Sequence, residues 1–97
     1  MTIDYDRATT LFAIAANETR LRMMLEIADA ERTVNEIAEA VGMNQSPVSQ
    51  HLAKLRTAGL VDWRRDGVNT YYRLRTGIGQ TIIRFSRENF TTLGETD

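Results

Sequence analysis

The strongest constraint on the fold is a pair of short helical patterns separated by only a few residues. Apolar residues recur at three- and four-residue intervals over residues 37–41 and again over 48–55, as on one face of a helix. Gly42 is a typical residue to end the first helix. Pro47 is tolerated in the first turn of the second, because its missing N–H would have no helical partner there. The sequence predicts two helices joined by a tight turn.

Two further amphipathic helices are predicted before this pair. Asn17 is a suitable N-cap for the second helix of the chain. Thr33 and Glu36 have the spacing of a capping box at the start of the third. The predicted apolar stripes are Ala8, Leu11, Phe12 and Ala15 in the first helix, and Leu21, Met24, Leu25 and Ala28 in the second.

After Gly59 the pattern changes from helical spacing to alternation, which indicates strands. A two-residue turn at Asp66-Gly67 predicts a β-hairpin in which Trp63 pairs with Thr70 and Val61 with Tyr72. One face would then hold Val61, Trp63, Tyr72 and Leu74, and the other Arg64, Asn69, Tyr71, Arg73 and Arg75. Trp63 either stacks on a base or, as its inward position favours, anchors the hairpin to the helices.

Helical spacing resumes at residues 78–85, and we expect residues 91–97 to be a frayed tail. The predicted order is ααααββα, mainly α with a small β-hairpin, in a single domain over residues 1–97. A helix pair followed by a hairpin is the layout of a winged helix-turn-helix, whose second paired helix enters the major groove of DNA. A chain this short buries only about 60–65% of the surface that its unfolded form exposes, so a partner subunit would help.

Charge is distributed unevenly along the chain. The formal net charge is −1, but residues 1–43 sum to −4 and residues 44–88 to +5. This asymmetry favours one face built for an anionic partner, the alternative being a chance scatter of solvated charges. The chain has no cysteine, which excludes disulfides and thiolate metal sites. With no long apolar run and no stretch resembling a signal peptide, we expect a cytoplasmic protein without membrane contact.

The predicted second helix of the pair exposes polar side chains suited to DNA. Glutamine can bind adenine through two hydrogen bonds, and serine can bond to donors or acceptors on the bases. The alternative is that these residues only solvate and cap a helix start, with Asn44 or Ser46 as the cap. Basic side chains on the helix and hairpin would contact phosphates, or in the hairpin discourage edge-to-edge aggregation. The predicted base contacts are Gln45, Ser46, Ser49 and Gln50, and the predicted backbone or hairpin contacts are Lys54, Arg56, Arg64 and Arg65.

Several segments in order resemble the ArsR (SmtB/ArsR) family of bacterial transcriptional regulators. They lie between Asn17 and Leu74 and include residues 17–22, 34–38, 45–52, 58–61 and 71–74, with the run Ser49-Gln50-His51-Leu52 among them. The resemblance implies a homodimer, joined through the first and last helices, that represses promoters until an effector releases it. It also implies that His51 packs or contacts phosphate. The implied dimer contacts are Leu11, Phe12, Ile78, Ile82 and Phe85, which could instead only cover the monomer core.

The sequence departs from the metal-sensing members of that family. Residues 34–41 contain neither cysteine nor histidine, and the last helix lacks the paired aspartate and histidine ligands. We therefore expect no metal site and no cofactor, and leave a small-molecule or protein effector open. No nucleophile, base and orienting group converge by spacing, so we do not expect an enzyme.

Two functions follow from these features. The first is a sequence-specific regulator, most simply a repressor, that binds a palindromic operator in double-stranded DNA as a homodimer. The second is a winged-helix module for protein–protein interaction, without sequence-specific DNA binding, in which the hairpin arginines meet an acidic partner.

Overall fold

The computed structural model describes residues 1–92, which form five helices and three strands. Residues 93–97, in the predicted frayed tail, lie outside the described residues. The elements are α1 (Tyr5–Ala15), α2 (Glu18–Glu26), β1 (Arg32–Thr33), α3 (Val34–Val41), α4 (Gln45–Thr57), β2 (Val61–Asp66), β3 (Asn69–Leu74) and α5 (Ile78–Phe90). None of the helices in this described part is long and apolar enough to cross a membrane.

Local hydrogen bonds fix the starts of α2 and α3. The side chain of Asn17 accepts from the backbone N–H of Arg20 at 3.0 Å, so α2 begins where its N-cap predicts. The capping box of α3 is also confirmed. The Thr33 hydroxyl accepts from the Glu36 N–H at 3.2 Å, and the Glu36 carboxylate accepts from the Thr33 N–H at 2.8 Å.

The tight turn between α3 and α4 forms as the sequence predicts. Gly42 has a φ of 69°, in the left-handed region that favours glycine, and its N–H bonds back to the last turn of α3. Only three residues separate Val41 from Gln45, so α3 and α4 are held as a helix-turn-helix pair. The prediction of a mainly helical fold with this pair and a following hairpin is confirmed.

The hairpin forms, but the predicted register is wrong by two residues. Gly67 and Val68 are the turn, so that Val61 lies opposite Leu74 and Trp63 opposite Tyr72. Gly67 has a φ of 63° and takes the first turn position, where the prediction had placed Asp66. Since side chains alternate with a period of two, this shift leaves the predicted faces unchanged.

The sheet has a third strand that the predicted order ααααββα omits. Arg32 and Thr33 form β1, which pairs with β3 in an antiparallel arrangement, so the sheet order is β1-β3-β2. Two residues cannot show an alternating pattern, and Thr33 also caps α3. We call the β2–β3 hairpin the wing.

One apolar core joins the helices to the base of the wing. On α2 the predicted stripe is partly wrong, because Met23 is fully buried whereas Leu25 is 44% exposed. Gly79 lets α5 approach this core closely, since a Cβ there would lie 2.5 Å from the Leu60 carbonyl oxygen. The largest fully buried side chains are Met23, Met24, Ile27, Ile37, Val48, Leu52, Leu55, Leu60 and Val61.

Candidate nucleic-acid interface

One face of helix α4 is apolar and buried, and the other is polar and exposed. Val48, Leu52 and Leu55 are fully buried, which fixes the rotation of the helix about its axis. The opposite face is exposed from the first turn onward, and a face of this kind can enter a groove without uncovering the core. All four side chains predicted to contact bases lie there: Gln45, Ser46, Ser49 and Gln50.

The first turn of α4 is tied to α3 by one of these residues. The Gln45 amide nitrogen donates one N–H to the Asn35 side-chain oxygen at 2.8 Å, which leaves the Gln45 oxygen as an acceptor and the second N–H as a donor. The N-cap residue Asn44 makes no side-chain hydrogen bond to the helix. The backbone N–H groups of this first turn can therefore bind an anion such as a phosphate.

His51 lies at the boundary between the buried and the exposed face of α4. Its ring is partly buried, and its Nδ1 lies 3.3 Å from Nη1 of Arg20 on α2. Burial, followed by the positive charges of Arg20 and Lys54, lowers the pKa of His51 below its ordinary value. This shift favours the neutral form of the ring at pH 7. The resemblance implies either packing or a phosphate contact for His51; the ring does pack here, and the phosphate contact stays a prediction.

The second half of α4 carries two exposed cations. Lys54 points to solvent, whereas the Arg56 guanidinium stacks 4.3 Å from the centre of the Trp63 ring on β2. Trp63 is 42% exposed. It therefore joins the wing to α4 through a cation–π contact rather than by insertion into the core.

The two neighbouring arginines of β2, Arg64 and Arg65, differ in their surroundings. Arg64 donates from Nε to both carboxylate oxygens of Glu31 at 3.0 Å, with a further contact from Nη2, and stacks 4.5 Å from the centre of the Tyr71 ring. The hydrogen bonds from Arg64 hold the pKa of Glu31 below its ordinary value, so the carboxylate stays ionised. Arg65 points to the opposite face of the hairpin and is exposed, and it forms no ion pair with any residue in 1–92. Arg65 is therefore available to a phosphate.

The residues predicted to form a dimer interface lie on the outer faces of α1 and α5. Phe12, Ile78 and Phe85 are 64%, 50% and 56% exposed, which is unusual for large apolar side chains. Leu11 and Ile82 are partly buried against the core. The sequence missed Ile83, the residue of α5 that enters the core.

Two charged residues that contact predicted site residues were not themselves predicted. Arg20 is a buried arginine that supports His51, and Glu31 binds the wing arginine Arg64. Within the described part of the chain, no three histidine, aspartate or glutamate side chains lie close enough together to hold a metal ion.

Comparison with known proteins gives a consistent result. The family model for bacterial regulatory proteins of the arsR family matches residues 17–62, from the cap of α2 to the start of the wing. The transcriptional regulator KmtR of Mycobacterium tuberculosis is 52% identical over 64 residues, which is 66% of this chain and 49% of KmtR. The chain thus spans about half the length of that relative, and 34% and 63% of two other curated regulators.

Solved structures match over nearly the whole chain. HlyU from Vibrio cholerae superposes with a TM-score of 0.84 at 31% identity, covering 93% of this chain and 98% of HlyU. The structure of Mb0332 from Mycobacterium bovis, described as a homodimeric winged helix-turn-helix DNA-binding domain, has a TM-score of 0.79 at 28% identity. It covers 92% of this chain and 90% of that domain. The winged helix-turn-helix prediction is confirmed.

Proposed function

Because the chain belongs to the arsR family of bacterial regulatory proteins, we propose that it is a transcriptional regulator that binds double-stranded DNA in a sequence-specific manner. The observation that carries the proposal is the exposed polar face of α4 over a fully buried apolar face. Such a helix keeps its shape when it enters the major groove, and its side chains include donors and acceptors for base edges.

Helix α4 supplies the base contacts in this proposal. Gln50 is exposed, and a glutamine amide can form two hydrogen bonds to adenine. Gln45 uses one amide N–H to bond to Asn35, which restrains the side chain and leaves its oxygen and its second N–H for a base edge. Ser46 and Ser49 lie between them on the exposed face and complete the contact surface.

Phosphate contacts come from the flanks of this helix and from the wing. Lys54 and Arg65 are the exposed cations that attract the DNA backbone. Arg56 contributes while stacked on Trp63, because its guanidinium edge still carries N–H donors. Arg64 contributes least, since Glu31 already neutralises it.

The functional unit is a homodimer joined through α1 and α5. The exposed Phe12, Ile78 and Phe85 would be covered by the second copy, which removes apolar surface from water. The homodimeric Mb0332 domain supports this arrangement. A two-fold axis would place the two α4 helices about 34–36 Å apart, so the operator is palindromic with half-sites one helical turn apart.

The proposed consequence of binding is repression in the cytoplasm, with release by a small-molecule or protein effector. A dimer over a promoter occupies DNA that the polymerase must reach. Neither catalysis nor a cofactor is part of this proposal.

A binding titration tests the proposal. The protein is titrated against the DNA upstream of its own coding region and against a scrambled duplex, at two salt concentrations. A strong preference for the upstream DNA with two subunits per site is the expected result. Equal weak binding to both duplexes would contradict the proposal and favour a protein partner for the same face.

A further inference from the structure

Arg20 is a buried arginine without a carboxylate partner among residues 1–92. Only 8% of it is exposed, although arginine is rarely buried unless paired with an acid. Its Nε donates to the Ile14 carbonyl oxygen at the end of α1 at 2.7 Å, and its Nη1 lies 3.3 Å from Nδ1 of His51 on α4. Arg20 thus connects three helices, and one of its contacts is an ionisable ring on the proposed DNA-binding helix.

The chemistry of the guanidinium determines which nitrogen of His51 carries the proton. Arginine has five N–H donors and no acceptor, so Nδ1 must be the acceptor in this contact. A neutral imidazole has one N–H, which then lies on Nε2. The two charged groups that face the ring, Arg20 from α2 and Lys54 from α4, are both positive and oppose a second proton.

The Nε2 nitrogen faces solvent. It has no hydrogen-bond partner among the described residues, and within that part of the chain no buried side-chain nitrogen or oxygen lacks a partner. Nε2 is therefore accessible. It lies at the edge of α4, between the buried Leu52 and the exposed Gln50 and Lys54, where a helix in the major groove meets the DNA backbone.

We propose that Arg20 is a positioning residue that holds His51 in the tautomer with its proton on Nε2, so that α4 presents an uncharged N–H donor to a DNA phosphate. This inference rests on the proposed function, because the phosphate belongs to the operator. A neutral donor adds a directed hydrogen bond and fixes the position of the helix on the backbone. It contributes nothing to the salt dependence of binding, unlike Lys54, because the side chain brings no charge that displaces a counterion.

The tautomer is measured directly by nitrogen-15 NMR of the histidine ring. His51 is the only histidine in the chain, so the signals need no assignment. At pH 7 the free protein is expected to show an unprotonated Nδ1 and a protonated Nε2. A ring with the proton on Nδ1, or an even mixture of both tautomers, would overturn the proposal, and this result requires no variant.

The role of Arg20 is tested with Arg20→Met and a matched control, Arg22→Met. Arg22 lies on the same helix but is exposed and paired with Glu18. Arg20→Met is expected to give a mixture of tautomers and a His51 titration at higher pH, whereas Arg22→Met keeps the wild-type ring signals. If a folded Arg20→Met protein keeps a pure Nε2–H ring, Arg20 does not set the tautomer. If that variant does not fold, Arg20→Lys, which keeps the charge but shortens the reach, replaces it.

The contact with DNA is tested through the salt dependence of binding. His51→Ala is expected to weaken binding about tenfold on every duplex sequence with an unchanged salt slope, as for the loss of a hydrogen bond to a charged group. Lys54→Ala is the control and should reduce the slope by about one. A slope change for His51→Ala would show a charged contact and overturn the proposal. If the wild-type protein binds no duplex selectively, the proposed function fails. The nitrogen-15 NMR signals of His51 still test whether Arg20 sets the tautomer.

Discussion

The guanidinium of Arg56 on α4 lies 4.3 Å from the centre of the Trp63 ring on β2, so one stacked pair connects the proposed DNA-binding helix to the wing. The base of the wing is held by the core through Val61 and Leu74, whereas residues 63–66 of β2 are exposed. The stacked pair is therefore a second contact between the wing and α4, further out along β2.

Loss of the stacked pair is expected to loosen the wing. Arg56→Ala should lower the free energy of unfolding by about 0.5–1 kcal/mol, the usual contribution of an exposed cation–π contact. Trp63 is the only tryptophan, so its fluorescence reports the change directly. Thr57→Ala, an exposed substitution on the next residue, is the control. Unchanged fluorescence in Arg56→Ala would show that the stack does not persist in solution.

The two arginines of β2 are expected to differ in their effect on DNA binding. Arg65→Ala should reduce the slope of log affinity against log salt by about one, because it removes one phosphate contact. Arg64→Ala should change the slope much less, since the Glu31 carboxylate already holds that guanidinium. Titrations at several salt concentrations measure both slopes.

Glu31→Gln is the matched test of this explanation. It removes the carboxylate charge but keeps the side-chain shape, so Arg64 becomes free to reach a phosphate. The salt slope should then increase. Equal slopes for the Arg64→Ala and Arg65→Ala variants would show that the Glu31 pair opens when DNA binds.

Base recognition by Gln50 predicts a change in selectivity rather than a uniform loss. Gln50→Ala should cost about 1–3 kcal/mol at one base pair of each half-site and little elsewhere. Affinities for operators with single base-pair changes measure this. Arg65→Ala provides the contrast, because a phosphate contact should be lost equally on all sequences. A uniform loss for Gln50→Ala would remove Gln50 from base recognition.

The apolar faces of α1 and α5 predict that a charge on them prevents dimerisation. Phe85 is 56% exposed, and Phe85→Glu should give a monomer by light scattering and lose affinity for the full operator. Val68→Glu is the control for the oligomeric state, because Val68 is also apolar and is 96% exposed, but lies at the tip of the wing and not on α5. A dimeric Phe85→Glu protein would place the interface elsewhere.

Much of this fold follows from local sequence signals. The capping box at Thr33 and the left-handed Gly42 set the bounds of α3 through contacts within a few residues. The alternating pattern of the wing also predicts correctly which side chains share a face. A register shift of two residues does not change these faces, because side chains alternate with a period of two. The pairing itself depends on the turn, which the position of Gly67 decides.

The unpredicted features depend on contacts between distant residues. Glu31 and Arg64 are 33 positions apart, and no local pattern joins them. Arg20 has a local signal, because it begins the spacing of Arg20, Met23, Met24 and Ile27 along the buried face of α2. A search for apolar residues at helical spacing does not accept an arginine. It therefore selects the stripe that contains Leu25, and not the one that contains Arg20 and Met23. A charged residue at the spacing of a buried apolar stripe therefore indicates a side chain that is buried and makes ionic or hydrogen-bond contacts within the fold.

The environment of His51 predicts how stability depends on pH. Burial and two neighbouring cations lower its pKa in the folded state, whereas the unfolded chain has the ordinary value of 6.5. Below pH 6.5 the unfolded state therefore binds a proton that the folded state does not bind until the pH is lower. The free energy of unfolding should decrease as the pH falls from about 7 through this window, and level off once the folded protein also protonates.

Comparison with His51→Gln isolates this effect, because the chain has no other histidine and glutamine does not titrate. Urea unfolding at pH values from 7.5 to about 5 gives the free energies of both proteins, and their difference removes the contribution of the carboxylates. The wild-type protein should lose more stability than the variant toward pH 5. A difference that stays constant with pH would show that His51 has an ordinary pKa, and that Arg20 does not oppose its protonation.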